Sequence, residues 1–323
     1  MAIFNLSCSS KPLLFKTFAD INQVKSIGMM VNDSKNYWFS SHWGPVLRYD
    51  KKKKEYYRYG FDQGLSIEGI MCMGLVNGQV WIGLHTKGIA VYHPEDDIFS
   101  FYTMKDGLAG IEEGTKKISK VSAIEVDNFA QRVWAGTVYS GISYYDLQKK
   151  QWNTVNIPLL KNIDVSSIAI NQDWVAVGAD QGLFYLDKKV NQWFAFNDFP
   201  EHQGLFDIMI KNGKIIFVLY QGHGSSIIQF DPSTQKFKSI LSSTDTTYGV
   251  KMYQDFLIIN YIGGVSFLNL NTQKMKTFDK TSGLVSDLVN RTYIDGEDFW
   301  VLTQKGISTA KLVDVLNEVE AKN

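Results

Sequence analysis

The sequence predicts an all-β fold, a seven-bladed β-propeller with four antiparallel strands per blade, and three observations predict it. The first is a cassette, clearest at Val80-Trp81-Ile82-Gly83-Leu84-His85-Thr86-Lys87-Gly88-Ile89-Ala90-Val91-Tyr92. Two apolar runs rich in β-branched and aromatic residues flank a polar turn that ends in glycine, which reads as a β-hairpin. The second is recurrence. Related text runs from Tyr37-Trp38-Phe39 to Gly44, Val133-Trp134-Ala135-Gly136 to Gly141, and Val175-Ala176-Val177-Gly178 to Gly182. It returns from Ile216-Phe217-Val218 to Ser225, Leu257-Ile258-Ile259 to Gly264, and Phe299-Trp300-Val301 to Gly306, making seven copies. The third is spacing: turn markers at 44, 88, 141, 182, 225, 264 and 306 are separated by 44, 53, 41, 43, 39 and 42 residues. A period in the low forties with four strands per unit is that of a propeller blade.

Blade 1 takes Val24 to Asn32 as its inner strand, then Tyr37 to Ser41, Val46 to Asp50 and Glu55 to Tyr59, with Lys51 to Lys54 as a solvated hairpin tip. Blade 2 follows with Ile70 to Val76, Val80 to Leu84, Ile89 to Tyr92 and Ile98 to Tyr102. Blade 3 begins near Val121, after an insertion from Leu108 to Lys120 that accounts for the long step and lands on one rim. Blades 4, 5 and 6 open with Val165 to Ile170, Leu205 to Ile210 and Tyr248 to Tyr253. Blade 7 has Leu288 to Ile294, Phe299 to Thr303 and Ile307 to Lys311, and lacks a fourth strand.

The missing strand is predicted at the other end of the chain. Leu13-Leu14-Phe15-Lys16-Thr17-Phe18 matches the outer-strand text Lys274-Met275-Lys276-Thr277-Phe278 of blade 6. Pairing it with Ile307 to Lys311 closes the ring and removes an exposed sheet edge. One propeller domain therefore spans 12–313, preceded by an arm at 1–11 and followed by a tail at 314–323. Val315, Leu316 and Val319 have helical spacing, but a frayed terminus is the expectation for that charged tail.

Composition limits the partners. Lys plus Arg and Asp plus Glu both total 33, so no global field draws the protein to nucleic acid or an anionic membrane. No apolar stretch is long enough to span a bilayer. Cys8 and Cys72, in unlike contexts, make no disulfide framework. Ser7-Cys8 resembles the cut end of a bacterial lipoprotein signal, although Asn5 stands where an apolar residue is usual. A periplasmic or cell-surface lipoprotein is expected if a leader lies upstream, and a cytoplasmic protein otherwise.

Gly283-Leu284-Val285-Ser286-Asp287-Leu288-Val289, Ile294-Asp295-Gly296-Glu297 and Phe299-Trp300-Val301-Leu302-Thr303-Gln304-Lys305-Gly306-Ile307 resemble the repeat of the two-component regulator propellers. Asp106-Gly107-Leu108 and Asp62-Gln63-Gly64-Leu65 echo its opening. The resemblance implies a tryptophan packed between blades and a glycine at the turn. It also implies the periplasmic ligand-sensing part of hybrid sensor kinases, commonly tuned to carbohydrates. The chain carries no kinase or receiver text, so a stand-alone binding module is the expected inheritance.

No hydrolase nucleophile motif, P-loop, dinucleotide-binding glycine string or helical His-Glu-x-x-His occurs. What stands out is the placing of histidines. His42, His85 and His223 fall in turns between second and third strands, and His202 falls between blades; both kinds of loop emerge on one face. Trp43, Tyr139, Asp180, Gln181, Tyr261 and Gln304, with Glu68, Glu112 and Glu113, are expected near the same mouth. Aromatic platforms beside amides and carboxylates suit a sugar or other polar organic ligand. The expected ligand-binding set is therefore His42, Trp43, His85, Tyr139, Asp180, Gln181, His223, Tyr261 and Gln304, with no metal, no cofactor and no catalytic residue. Two other readings remain open: a protein-interaction scaffold, or a virginiamycin-B-lyase-like enzyme using His223 as base with Glu201 or Glu112.

Overall fold

In the computed structural model, which describes residues 13–18, 26–41, 43–65, 69–196 and 204–321, each cassette forms the second and third strands of a four-stranded antiparallel sheet. Seven such sheets occur among the described residues. Their inner strands are Ile27–Asn32, Ile70–Val76, Val121–Asp127, Val165–Ile170, Leu205–Lys211, Thr247–Tyr253 and Val289–Asp295. Successive inner strands lie against one another all the way round, blade 7 against blade 1 included.

The N-terminal closure is present and shorter than the sequence predicts. Lys16 pairs with Thr309 and Thr17 with Ser308, and the Phe18 amide donates to Ile307 O at 2.9 Å. Side chains do most of the holding. The buried Phe15 ring lies 5.7 Å from that of Phe278 and 6.3 Å from that of Phe299, while Phe18 is 4.6 Å from Trp300. Residues 19–25, including Val24 and Lys25 of the predicted first inner strand, lie outside the described residues.

The cassette tryptophans fill the spaces between blades. Trp38 meets Tyr92 at 4.6 Å, Trp81 meets Tyr145 at 5.5 Å, Trp134 meets Trp193 at 6.1 Å and Trp300 meets Tyr37 at 4.7 Å. The cassette glycine has a second reason besides the turn. A Cβ on Gly88 would stand 2.1 Å from Tyr102 O, and one on Gly264 2.2 Å from Phe278 O, so the fourth strand closes against a bare backbone. In blade 5 this position is Gly224, one residue before the Ser225 that the repeat spacing marks: its Cβ would meet Ser243 O at 2.1 Å.

Every inner strand shifts register at its second residue, the signature of a β-bulge. The bulged residues are Gly28, Met71, Ser122, Ser166, Phe206, Tyr248 and Asn290. Three of them clasp the next blade at the first residue of its inner strand. Ser122 Oγ donates to Val165 O at 2.6 Å, Ser166 Oγ donates to Leu205 O, and Asn290 Nδ2 donates to Ile27 O at 2.8 Å. Between blades 2 and 3 the neighbouring Cys72 Sγ reaches Val121 O at 3.5 Å instead. Blades 3 and 4 are also joined by an ion pair, Lys188 Nζ to the buried Asp127 Oδ2 at 2.6 Å. Lys188 donates its well-angled hydrogen bond to Asn171 O, 2.6 Å away.

The chain end corrects the expectation of a frayed terminus. Helix α1 spans Leu312–Glu320, with Leu312, Val315 and Val319 buried against the core of blades 6 and 7. Burying each such side chain contributes roughly 1.5–3 kcal/mol, enough to hold nine residues that would not form a stable helix alone. The insertion between blades 2 and 3 folds as a hairpin of Ile111–Glu113 and Lys116–Ile118.

Candidate functional site

Antiparallel order puts each turn between second and third strands on the same face as the connection that leads into the next inner strand. The described members of the predicted site set therefore share one face, but only some of them meet. Trp43 is 76% exposed, and its ring lies 5.9 Å from that of His85, across the gap between blades 1 and 2. His85 is half-buried, its amide donating to Gly69 O at 3.2 Å. Tyr139 is 55% exposed in a left-handed backbone conformation, φ 68°. The Asp164 carboxylate holds it there by accepting the Tyr139 amide at 2.8 Å.

The same chain of contacts occupies Asp180, whose Oδ1 accepts the Asp164 amide at 2.8 Å. Gln181 Nε2 donates to Asn162 O at 3.4 Å. Tyr261 turns its hydroxyl onto the outer strands, donating to Thr277 Oγ1 at 3.1 Å and accepting from Ser266 Oγ at 3.3 Å. His223 is exposed between Gly222 and Gly224, and Gln304 is exposed on blade 7 with its backbone carbonyl accepting the Ser26 amide. No hydrogen bond, ion pair or ring contact joins His223, Tyr261 and Gln304 to one another among the described residues. His42, Glu68, Glu201 and His202 lie outside the described residues. Glu112 pairs with Lys117 at 3.1 Å in the insertion hairpin and makes no contact with His223. Among the described residues no three His, Cys, Asp or Glu side chains are grouped to share a metal ion.

Sequence reasoning missed two features of this face. Phe206 and Tyr248, the bulged residues of blades 5 and 6, are 40% and 39% exposed at the start of their inner strands, and Phe206 stands 5.4 Å from the Tyr220 ring. An aromatic side chain next to buried Leu205 or Thr247 breaks strict alternation, which was the available signal.

The second feature is the lumen, about 520 Å³ in volume. Aligning the inner strands on their bulges sorts its wall into two rings. Nearer the mouth the lining is Met29, Cys72, Ala123, Ser167, Asp207 and Arg291, and deeper it is Glu125, Ala169, Met209, Lys251 and Tyr293; Gly249, Val31 and Gly74 hold the equivalent strand positions without lining the cavity. In the upper ring Arg291 Nη1 reaches Asp207 Oδ2 at 3.4 Å over blade 6. A Cβ at Gly249 would stand 2.8 Å from that carboxylate oxygen, so the pair spans a residue without a side chain. Asp207 is otherwise committed, accepting from the Val250 and Ile208 amides and from Ser167 Oγ.

In the deeper ring the Glu125 side chain is exposed to the lumen, with the protein of the surrounding blades close about it. Desolvation by that protein pushes its carboxyl up to about 7, with Lys251 opposing the shift and Asp207 adding to it. Burial lowers the Lys251 ammonium, against the pull of Asp207, and its Nζ sits 5.1 Å from the Tyr293 ring centre. Burial also pushes the Cys72 thiol up to about 12, which keeps it protonated and unreactive.

The architecture is that of a seven-bladed β-propeller. The chain is similar to the extracellular domain of the hybrid two component system BT3049 from B. thetaiotaomicron, with TM-score 0.72, 18% identity, and coverage of 93% of this chain and 42% of that one. The extracellular domain of BT4673 from the same organism gives TM-score 0.71 and 16% identity over 93% of this chain and 40% of that one. This chain thus spans less than half the length of those sensor domains. The RRP9 WD40 repeats match at TM-score 0.65 and 8% identity, covering 92% of this chain and 97% of that one. At these identities the likeness shows the fold. No protein-family model and no curated protein matches the chain. No helix among the described residues is long and apolar enough to cross a membrane.

Proposed function

We propose that this chain is a non-enzymatic, sensor-like binding propeller that recognises a carbohydrate or other polar organic ligand at the mouth bearing Trp43, His85 and Tyr139. The observation that carries this reading is Trp43, an indole 76% exposed beside the His85 imidazole. Such a ring costs free energy in water unless an apolar face covers it, and the C–H face of a sugar ring does so while its hydroxyls find polar partners. His223 and Gln304, both exposed on the same face, supply hydrogen-bonding groups. Residence outside the cytoplasm, as a periplasmic or cell-surface lipoprotein, accords with the extracellular sensor domains that share the fold.

A glycan array followed by titration of the best binder tests the proposal. Trp43→Ala combined with Tyr139→Ala is expected to abolish capture with the melting temperature unchanged. Undiminished binding by the double variant would remove this mouth from the reading. A protein-binding scaffold is the second reading, favoured by the further exposed apolar residues Phe61, Phe206, Tyr248 and Ile262 on the same face. It predicts a captured protein and no glycan.

A further inference from the structure

The lumen poses a separate electrostatic problem. Its wall carries four charged side chains, two of each sign, so it is neutral overall while its charges are unevenly satisfied. Asp207 and Arg291 answer one another, and Asp207 takes three further donors. Glu125 on blade 3 and Lys251 on blade 6 occupy the same ring on different sides of the channel. Among the described residues neither makes a hydrogen bond or a close ion pair; Lys251 has only the face of Tyr293. With Glu125 exposed to the lumen and Lys251 half-buried, the two opposite charges face one channel unpaired and open to a third body that connects them.

The rest of the wall says what that body looks like. Blades 1 and 2 contribute Met29, Met30, Met71 and Met73 to the lumen, a soft apolar surface that adapts to irregular shapes. A ligand that satisfies this wall carries one positive group, one negative group and an apolar side chain, and fits in about 520 Å³. We propose that the lumen binds a free α-amino acid with an apolar side chain, its ammonium on Glu125, its carboxylate on Lys251 and its side chain against the methionines. This site is independent of the Trp43 mouth, and the two can fail separately.

Titration calorimetry with L-leucine, L-methionine and L-phenylalanine tests it. For leucine, 4-methylpentanoate and isopentylamine serve as probes that keep the apolar body and lose one charge each. At least one amino acid is expected to bind, with both single-charge probes weaker by about tenfold or more. Glu125→Gln and Lys251→Met, checked for an intact fold by circular dichroism, are each expected to weaken it by a similar factor. The proposal is overturned if none of the three amino acids binds at millimolar concentration, if a single-charge probe binds as well as its parent, or if both variants bind unchanged.

Discussion

The Ser122 hydroxyl lies 2.6 Å from the carbonyl oxygen of Val165 and donates to it, linking residues 43 apart, about one blade repeat. Bulging the inner strand at its second residue frees that hydroxyl to serve a neighbouring blade, so a local irregularity becomes an inter-blade bond. Ser122→Ala strips Val165 O of this donor. A loss of about 1–3 kcal/mol is expected, read as a lower urea midpoint at constant slope. An unmoved midpoint would mean that water replaces the bond at no cost.

Closure of the ring rests on rings of another kind. Phe15 is 2% exposed between Phe278 and Phe299, while the backbone ladder beside it is two residues long. Phe15→Ala is therefore expected to lower stability by about 3–5 kcal/mol and to shift the melting of the whole domain, checked by calorimetry. A variant melting within experimental error of the parent would show that the closing strand is dispensable.

Gly264 combines φ 133° with an approach of 2.2 Å between a built Cβ and Phe278 O. Both the backbone and the outer strand must yield to any side chain there. Gly264→Ala is expected to cost more than the roughly 1 kcal/mol that backbone entropy alone would return, giving a net fall in thermal stability.

The pair of Lys188 and Asp127 differs from the many surface ion pairs because Asp127 is 1% exposed. Lys188→Met leaves a buried carboxylate without its cation, and a loss of about 3–5 kcal/mol is expected in denaturant melts. Adding Asp127→Asn removes the stranded charge while keeping an acceptor for the Phe129 and Ala130 amides, so the double variant should recover most of that loss.

Glu125 makes stability pH-dependent in a definite direction. Its folded-state carboxyl titrates near 7 rather than at the ordinary 4.5, so between those values the folded chain holds more protons than the unfolded one. Stability from this group is therefore full at low pH and falls as pH rises toward 7. Asp207, Lys251, Arg291, Tyr293 and Cys72 face the same lumen and remain in both chains compared. The difference in melting temperature between Glu125→Gln and the parent should grow in favour of the variant from pH 5 to pH 8. A difference independent of pH would show that the carboxyl titrates normally.

The fold was legible because its determinants repeat. Trp38, Trp81, Trp134 and Trp300 recur in one local context, each followed by a turn, and periodic text needs no long-range information to be read. The helix at Leu312–Glu320 was misjudged because its stability comes from docking on blades 6 and 7, which its own short charged sequence does not display. At the mouth, exposure of Trp43 and Tyr139 followed from their turns, whereas Asp180 and Tyr261 were absorbed by hydrogen bonds that depend on the neighbouring connection and the outer strand. The lumen charges were invisible for another reason. Glu125 and Lys251 are single polar letters in separate strands, and only a bulge-corrected alignment of all seven blades brings them into one ring.

Stacking the inner strands turns the channel into a combination lock with one tumbler per blade. The tryptophans, the turn glycines and the Ser122, Ser166 and Asn290 clasps lie elsewhere, so exchanging a tumbler other than Cys72 re-keys the bore without re-engineering the barrel that surrounds it. Relatives of this protein can diverge in what they admit while remaining superimposable, and new specificities can be sought at these few positions alone.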